Sequence, residues 1–200
     1  MGVEFELKFQ ATEESLAAIR KGMSVPEQVI SMQTLYYDTP DGTLSAQGLT
    51  LRKRTENGRV VCTLKTPAGA LGRGEFELEC DRIEDAVPQL CRESGIAEPE
   101  ALTQQKLMVV CGARFTRYAY GVCVPGGKVE VALDTGILSG GGREIPLCEV
   151  EVELKEGTRE ATVAYAMDLA GIHGLQSQPK SKFRRALALY RAGCRGESNE

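Results

Sequence analysis

Cys148-Glu149-Val150-Glu151-Val152-Glu153-Leu154-Lys155 alternates charged and apolar side chains almost without a break. A period of two puts successive side chains on opposite faces of a β-strand. The octet therefore reads as a strand with one acidic face (Glu149, Glu151, Glu153) and one apolar face (Val150, Val152, Leu154). The pattern recurs on both sides of it. Residues 3–9 set Glu4, Glu6 and Lys8 against Phe5, Leu7 and Phe9, and residues 73–81 set Glu75, Glu77 and Glu79 against Phe76, Leu78 and Cys80. Residues 48–55 and 59–66 flank Glu56-Asn57-Gly58, a hairpin signal, and carry Arg52, Arg54 and Lys65 at same-face spacing. Residues 113–124 and 128–135 flank Pro125-Gly126-Gly127 and carry Arg117, Glu130 and Asp134, with Arg114 on the opposite face from Arg117. Residues 144–155 hold the opening octet, and residues 30–37 give a further strand before the turn at Asp38-Thr39-Pro40-Asp41-Gly42. About eight strands result.

Four segments follow a helical period instead. Thr12 can cap a helix over 13–22, with Glu13 and Glu14 against the positive end of its dipole. Helices are also expected over 84–94, over 159–171 with Val163, Ala166, Met167 and Ala170 on one face, and over 182–192 with Phe183, Ala186, Leu187 and Tyr190. Residues 193–200 read as a disordered tail, leaving residues 1–192 as one domain. Ser139-Gly140-Gly141-Gly142 is a turn and not a phosphate loop, because no Lys-Ser/Thr helix follows it.

Composition narrows the function classes. The 200 residues carry a net charge of −4, which argues against nucleic acid and anionic membrane as general partners. No run of about 18 apolar residues could span a bilayer. The N-terminus lacks the basic and apolar blocks of a signal peptide. The seven cysteines, at 62, 80, 91, 111, 123, 148 and 194, are odd in number and lack C-x-x-C spacing. They read as buried free thiols in a reducing cytoplasm. His173 is the only histidine, which leaves little for a zinc site or a Ser-His-Asp triad.

Charged strand faces usually meet solvent. Several acid-only faces in one small chain need another account, because like charges about 7 Å apart repel by about 2 kcal/mol at an effective dielectric near 20. A divalent cation and a ring of Arg and Lys would offset that repulsion. The charged faces are therefore expected to turn inward, with the apolar faces covered by the helices. The fold expected is mainly β in the α+β class: a closed eight-stranded antiparallel barrel with amphipathic helices packed outside. Such a barrel has room for one small ligand. Triphosphate fits the charge pattern, with oxygens for the basic side and metal bridges to the acidic side.

These residues resemble the CYTH superfamily, the triphosphate tunnel metalloenzymes. The likeness rests on Glu4-x-Glu6-x-Lys8; on Tyr37-Asp38-Thr39, Leu44, Gly48 and Leu51-Arg52-x-Arg54; and on Lys65, Glu75, Glu77 and Glu79. It continues through Arg117, Asp134, Glu149, Glu151 and Glu153 to Ser181-Lys182-x-x-Arg185, so it covers nearly the whole chain and is strongest to the module of bacterial inorganic triphosphatases. The resemblance implies Mg²⁺ or Mn²⁺ on Glu4, Glu6, Asp134, Glu149, Glu151 and Glu153. It implies a phosphate grip from Lys8, Arg52, Arg54, Lys65, Arg117, Lys182 and Arg185, with Glu4, Glu6, Lys8 and Glu151 nearest the chemistry and Lys182 and Arg185 on a lid. Glu75, Glu77 and Glu79 would ligate metal or balance the arginines, and Tyr36 and Tyr37 would be packing residues. The activity implied is metal-dependent hydrolysis of inorganic triphosphate to pyrophosphate and phosphate. A class IV-type adenylyl cyclase, a thiamine or nucleoside triphosphatase, and a non-catalytic polyphosphate or nucleotide sensor stay open, as does a homodimer. The absence of Trp removes the best stacking platform for a base and favours the inorganic substrate.

Overall fold

The computed structural model describes residues 5–69, 72–96 and 106–196. Its strands are β1 (Glu6–Gln10), β2 (Glu27–Asp38), β3 (Thr50–Glu56), β4 (Arg59–Gly69), β5 (Gly72–Glu79), β6 (Met108–Val124), β7 (Gly127–Gly140), β8 (Arg143–Gly157) and β9 (Gln176–Ser177). Its helices are α1 (Glu13–Gly22), α2 (Thr43–Ala46), α3 (Ile83–Ser94), α4 (Arg159–His173) and α5 (Lys182–Gly196). The strands form one antiparallel sheet in the order β5-β4-β3-β2-β6-β7-β8-β1-β9. The sequence misses β9 because two residues carry no period. Among the described residues no ladder joins β5 to β1 or β9, so hydrogen bonds do not complete the ring. The sheet still curls around, because side chains from β5 and β1, near its two ends, line one cavity.

Register puts the charged residues on one face. Arg117 lies opposite Asp134, Asp134 opposite Glu149, Lys8 opposite Glu151, and Glu6 opposite Glu153. At the far side Arg54 pairs with Thr34, Arg52 with Tyr36 and Thr63, and Lys65 with Thr50 and Glu75. A one-residue slip would turn every one of these side chains outward, so the apolar face fixes the register. A tight turn helps. Asn57 and Gly58 both have positive φ (48° and 91°), as a two-residue hairpin that follows strand twist requires. The Asn57 side chain also accepts a 2.8 Å hydrogen bond from Ser31 N, which ties that turn to β2.

The outer face is covered as expected. Thr12 caps α1 through a 3.2 Å bond from Ser15 N, and Ser15 answers with a 2.9 Å bond from Thr12 N. Helix α1 then buries Leu16 and Ile19 with α4 against Phe9, Val129, Val131, Leu133, Val150 and Val152. Helix α3 covers Leu51, Cys62 and Leu64. The contact face of α4 is Thr162, Ala166, Leu169 and Ala170, whereas Val163 and Met167 are exposed. The expected stripe was therefore rotated by about one position. None of the cysteines is in a disulfide, but only Cys62, Cys91 and Cys111 are buried, while Cys123 and Cys194 are exposed. Among the described residues no helix is long and apolar enough to cross a membrane.

Helix α5 goes elsewhere. Phe183, Ala186 and Leu187 pack on Met32, Tyr36, Ala113, Phe115, Leu138 and Leu147, which lie on the same sheet face as Arg117, Asp134 and Glu149. It therefore fills one end of the curled sheet instead of covering its outside. It also continues to Gly196, so residues 193–196 are helical where the sequence suggested a tail. Glycine makes the approach close enough. A Cβ on Gly140 would lie 2.6 Å from Ala186 O and 2.9 Å from Tyr190 N.

Gly140→Ala should therefore lower the melting temperature, with overpacking costing about 1–3 kcal/mol. Gly171→Ala on α4, where a Cβ meets nothing within 4 Å, should be neutral or stabilising. Thermal unfolding of the two variants checks this, and equal melting points would contradict the seating of α5.

Candidate active site

The deepest part of the curled sheet is a layer of ion pairs. Asp134 and Glu149 have fully buried side chains, and Glu151 is 13% exposed. Strands β7 and β8 present them side by side because their positions alternate with the buried valines of the outer face. Isolated carboxylates could not stay charged there. Three cations answer them one for one. Arg117 donates Nε and Nη2 to the two oxygens of Asp134, both at 2.8 Å, and Nη2 also to Glu151. Lys182 Nζ stands among all three acids, 2.8 Å from Asp134 Oδ2 and from Glu151 Oε1 and in contact with Glu149 Oε1. Arg185 closes the far side of Glu149.

The electrostatic consequences follow from those contacts. Burial alone would lower the Lys182 and Arg117 pKa values, yet the neighbouring carboxylates outweigh it and hold both cations above their ordinary range. Glu151 is likewise penalised by burial, and Lys182 and Arg117 nevertheless hold it well below the usual carboxylate range. Its partner Glu149 is pushed up to about 7, chiefly by burial.

Above this layer is a cavity of about 210 Å³. Of the residues singled out in the sequence, Glu6, Lys8, Arg52, Arg54, Lys65, Arg117, Glu151, Glu153 and Lys182 line it. Asp134, Glu149 and Arg185 lie outside that lining, in the ion-pair layer. Glu4 falls outside the described residues. Glu75 pairs with Arg52 at 3.0 Å and Lys65 at 2.7 Å, which is a charge-balancing role. Glu77 reaches Arg52 at 3.5 Å and accepts from Thr63, while Glu79 lies outside the cavity and pairs with Arg59. Glu130 sits 3.8 Å from Lys155, away from the cavity. Arg52 Nε and Arg185 Nε are buried donors without a hydrogen-bond partner among the described residues.

Thr34, Tyr36, Thr50, Phe115, Ser181 and Phe183 also line the cavity and were not singled out as site residues. Thr50 and Phe115 stand two positions before Arg52 and Arg117, so the period of two was the available signal. Tyr36 does pack, on Phe183 at 5.0 Å between ring centroids, but it also faces the cavity. Asp38 accepts from Thr39 N, Leu44 N and Ser45 N while buried, so it holds the short α2 that leads into β3.

The CYTH domain family model matches residues 2–187. The inorganic triphosphatase of Haemophilus influenzae is 30% identical over 166 residues, covering 81% of this chain and 47% of that protein. The chain thus spans about half the length of that relative. A Hippeastrum protein, an adenylyl cyclase candidate described as having a dominant triphosphatase activity, has a TM-score of 0.64 at 19% identity with 96% of each chain covered. An adenylate cyclase candidate from Bacillus halodurans has a TM-score of 0.62 at 18% identity, covering 92% of this chain and 96% of that one. At such identities the structural likenesses show the fold.

Repulsion among the glutamates suggests that neutralising one should stabilise the protein. With each acid already paired, Glu151→Gln should instead lower the metal-free melting temperature, because Arg117 and Lys182 each lose a charged partner. The loss should be about 1.5–3 kcal/mol. A higher melting temperature would mean that repulsion outweighs pairing.

Proposed function

The chain belongs to the CYTH domain family, and from that premise we propose that it hydrolyses inorganic triphosphate to pyrophosphate and phosphate with a divalent metal ion. The observation that carries this reading is the charge balance of the tunnel. Among the described residues, seven cations (Lys8, Arg52, Arg54, Lys65, Arg117, Lys182, Arg185) face seven acids (Glu6, Glu75, Glu77, Asp134, Glu149, Glu151, Glu153) in the cavity and the layer beneath it. A polyanion entering a balanced site brings an excess of negative charge. A cation bound with it restores the balance.

The donor set fits such an ion. Asp134, Glu149 and Glu151 offer oxygen atoms within 4.8 Å of one another. Oxygen-only donors suit Mg²⁺ or Mn²⁺. Glu6 and Glu153, directly opposed across β1 and β8, continue the acidic wall toward the opening, and Glu4 precedes them in sequence. The ion would neutralise phosphate oxygens and acidify a bound water. The remaining work belongs to the side chains. Lys8, Arg52, Arg54 and Lys65 would grip the phosphates, with Arg52 Nε supplying a buried donor that the protein itself leaves unmatched. Burial and the adjacent Arg52 already lower the Arg54 pKa, so an anion beside it would be stabilised. Arg117 and Lys182 would orient Glu151. Hydrolysis of this kind needs positioning and neutralisation of spreading charge more than covalent help.

An inorganic substrate suits the aromatic groups better than a nucleotide. Tyr36 and Phe183 are engaged with each other. The ring of Phe115 lies 5.9 Å from the Arg117 guanidinium and 5.3 Å from Lys182 Nζ. Among the described residues, each of the three cavity rings already has an aromatic or cationic neighbour.

Purified protein should release phosphate from triphosphate with Mg²⁺ or Mn²⁺, lose activity in EDTA, and act more weakly on ATP and thiamine triphosphate. Arg52→Ala should raise KM for triphosphate about tenfold to a hundredfold, the loss of one charge-assisted contact. Glu6→Gln should chiefly raise the metal concentration needed. Full activity in chelator, or cyclic AMP as the main product from ATP, would contradict the proposal.

A further inference from the structure

The tunnel cavity of about 210 Å³ adjoins a groove of about 1090 Å³. Lys8, Thr50, Ser181 and Phe183 line both spaces, so these four side chains form the boundary between them. Thr50 and Ser181 are small, and Lys8 ends in an ammonium 2.8 Å from Glu6. Phe183 is the one bulky apolar group of the four. It is the second residue of α5, and its ring is held from several directions. Lys182 before it is bound to Asp134, Glu149 and Glu151, and Arg185 after it to Glu149. Tyr36 packs on the ring with centroids 5.0 Å apart. Leu187, one helical turn further on, belongs to the same apolar cluster.

We propose that Phe183 is a specificity-determining residue, whose ring closes the tunnel to triphosphates that carry an organic group on a terminal phosphate. The inference rests on the triphosphatase reading of the tunnel, and it names the side chain that keeps the substrate inorganic. Sites that enclose a drug-sized organic ligand span about 300–1,000 Å³. The tunnel falls below that range and the groove reaches its top. The groove also has apolar walls, from Leu49, Pro67, Ile145, Pro179 and Leu187. A nucleoside or a thiamine group would find room there. Its triphosphate would have to lie in the tunnel at the same time, and the link between the two would cross the space that the Phe183 ring occupies. A bare phosphate chain has no such group to place. Turning the ring aside would break its contact with Tyr36 and strain a helix start that three buried or half-buried acids hold through Lys182.

The test compares kcat/KM for triphosphate, ATP and thiamine triphosphate in Mg²⁺ on the full chain and three variants, with the melting temperature of each. Phe183→Ala should lower the preference for triphosphate over the two organic substrates about tenfold to a hundredfold, the discrimination that a change of bulk in an apolar wall supplies. Phe183→Leu keeps more of the bulk and should shift the preference less. Leu187→Ala loosens the same helix but lines only the groove, so it should lower the melting temperature and leave the preference at the wild-type ratio. A parallel fall in all three activities of Phe183→Ala would overturn the proposal, because the ring would then serve stability alone. An equal shift from Leu187→Ala would overturn it too. If Phe183→Ala did not fold, Phe183→Leu against Leu187→Ala would carry the comparison, and an unchanged ratio in Phe183→Leu would count against the ring. A wild-type chain that cleaved ATP as well as triphosphate would sink the substrate reading along with the partition. A wild-type chain selective for triphosphate whose selectivity survived Phe183→Ala would sink the partition alone.

Discussion

Two carboxylates, Asp134 and Glu149, are buried without any exposure, and the molecule is arranged around supplying them with cations. Their outer-face neighbours, among them Val131, Leu133, Val150 and Val152, belong to the core under α1 and α4. The alternation that buries the valines forces the acids inward. Water cannot solvate them there, so the protein must supply cations. Arg117 comes from the adjacent strand. The other two, Lys182 and Arg185, come from the far end of the chain. Helix α5 therefore lies inside the curled sheet, where Gly140 gives its backbone room. The plug and the ion-pair layer are two aspects of one requirement.

The same arrangement sets a competition at the heart of the site. Lys182 Nζ is in contact with the three carboxylates whose oxygens are grouped closely enough to hold a metal ion. An ammonium and a divalent ion cannot share that position. On the proposed reading a divalent ion would sit nearer Glu6 and Glu153, or Lys182 would have to leave the three carboxylates to admit it. In both cases the cations that pair with the buried acids are the ones suited to hold phosphate. Stability without ligand and capture of ligand draw on the same side chains, which is the usual tension at a charged site.

Much of this was legible in the sequence because period two is an unambiguous signal where charge and apolarity alternate. The Glu-x-Glu strands, the Asn57-Gly58 hairpin and the Thr12 cap all stand where local chemistry puts them. Charged faces turned inward could be argued from repulsion alone. What the sequence could not show depends on long-range packing. The helical period of α5 identifies Phe183, Ala186, Leu187 and Tyr190 as an apolar face, but not which side of the sheet receives it. The burial of Asp134 and Glu149 under Lys182 and Arg185 joins positions more than thirty residues apart. Strand β6 begins at Met108, five residues before the alternation becomes readable at 113, because Met108-Val109-Val110-Cys111 is a continuous apolar run. Helix α4 has alanines and a threonine at its contact, so its larger Val163 and Met167 misled the choice of face.

The central claim is that the acids at the bottom of the barrel are held by the cations of α5. A double-mutant cycle on Lys182 and Glu149, read by the free energy of unfolding of the metal-free protein, tests it most directly. Lys182→Met alone should cost about 3–5 kcal/mol, since it strands a buried charge. Adding Glu149→Gln should recover a large part of that loss, giving a coupling well beyond the few tenths of a kcal/mol expected of independent sites. Simple additivity would contradict the account, because it would mean that Lys182 and Glu149 meet solvent separately and that something else holds α5 in place.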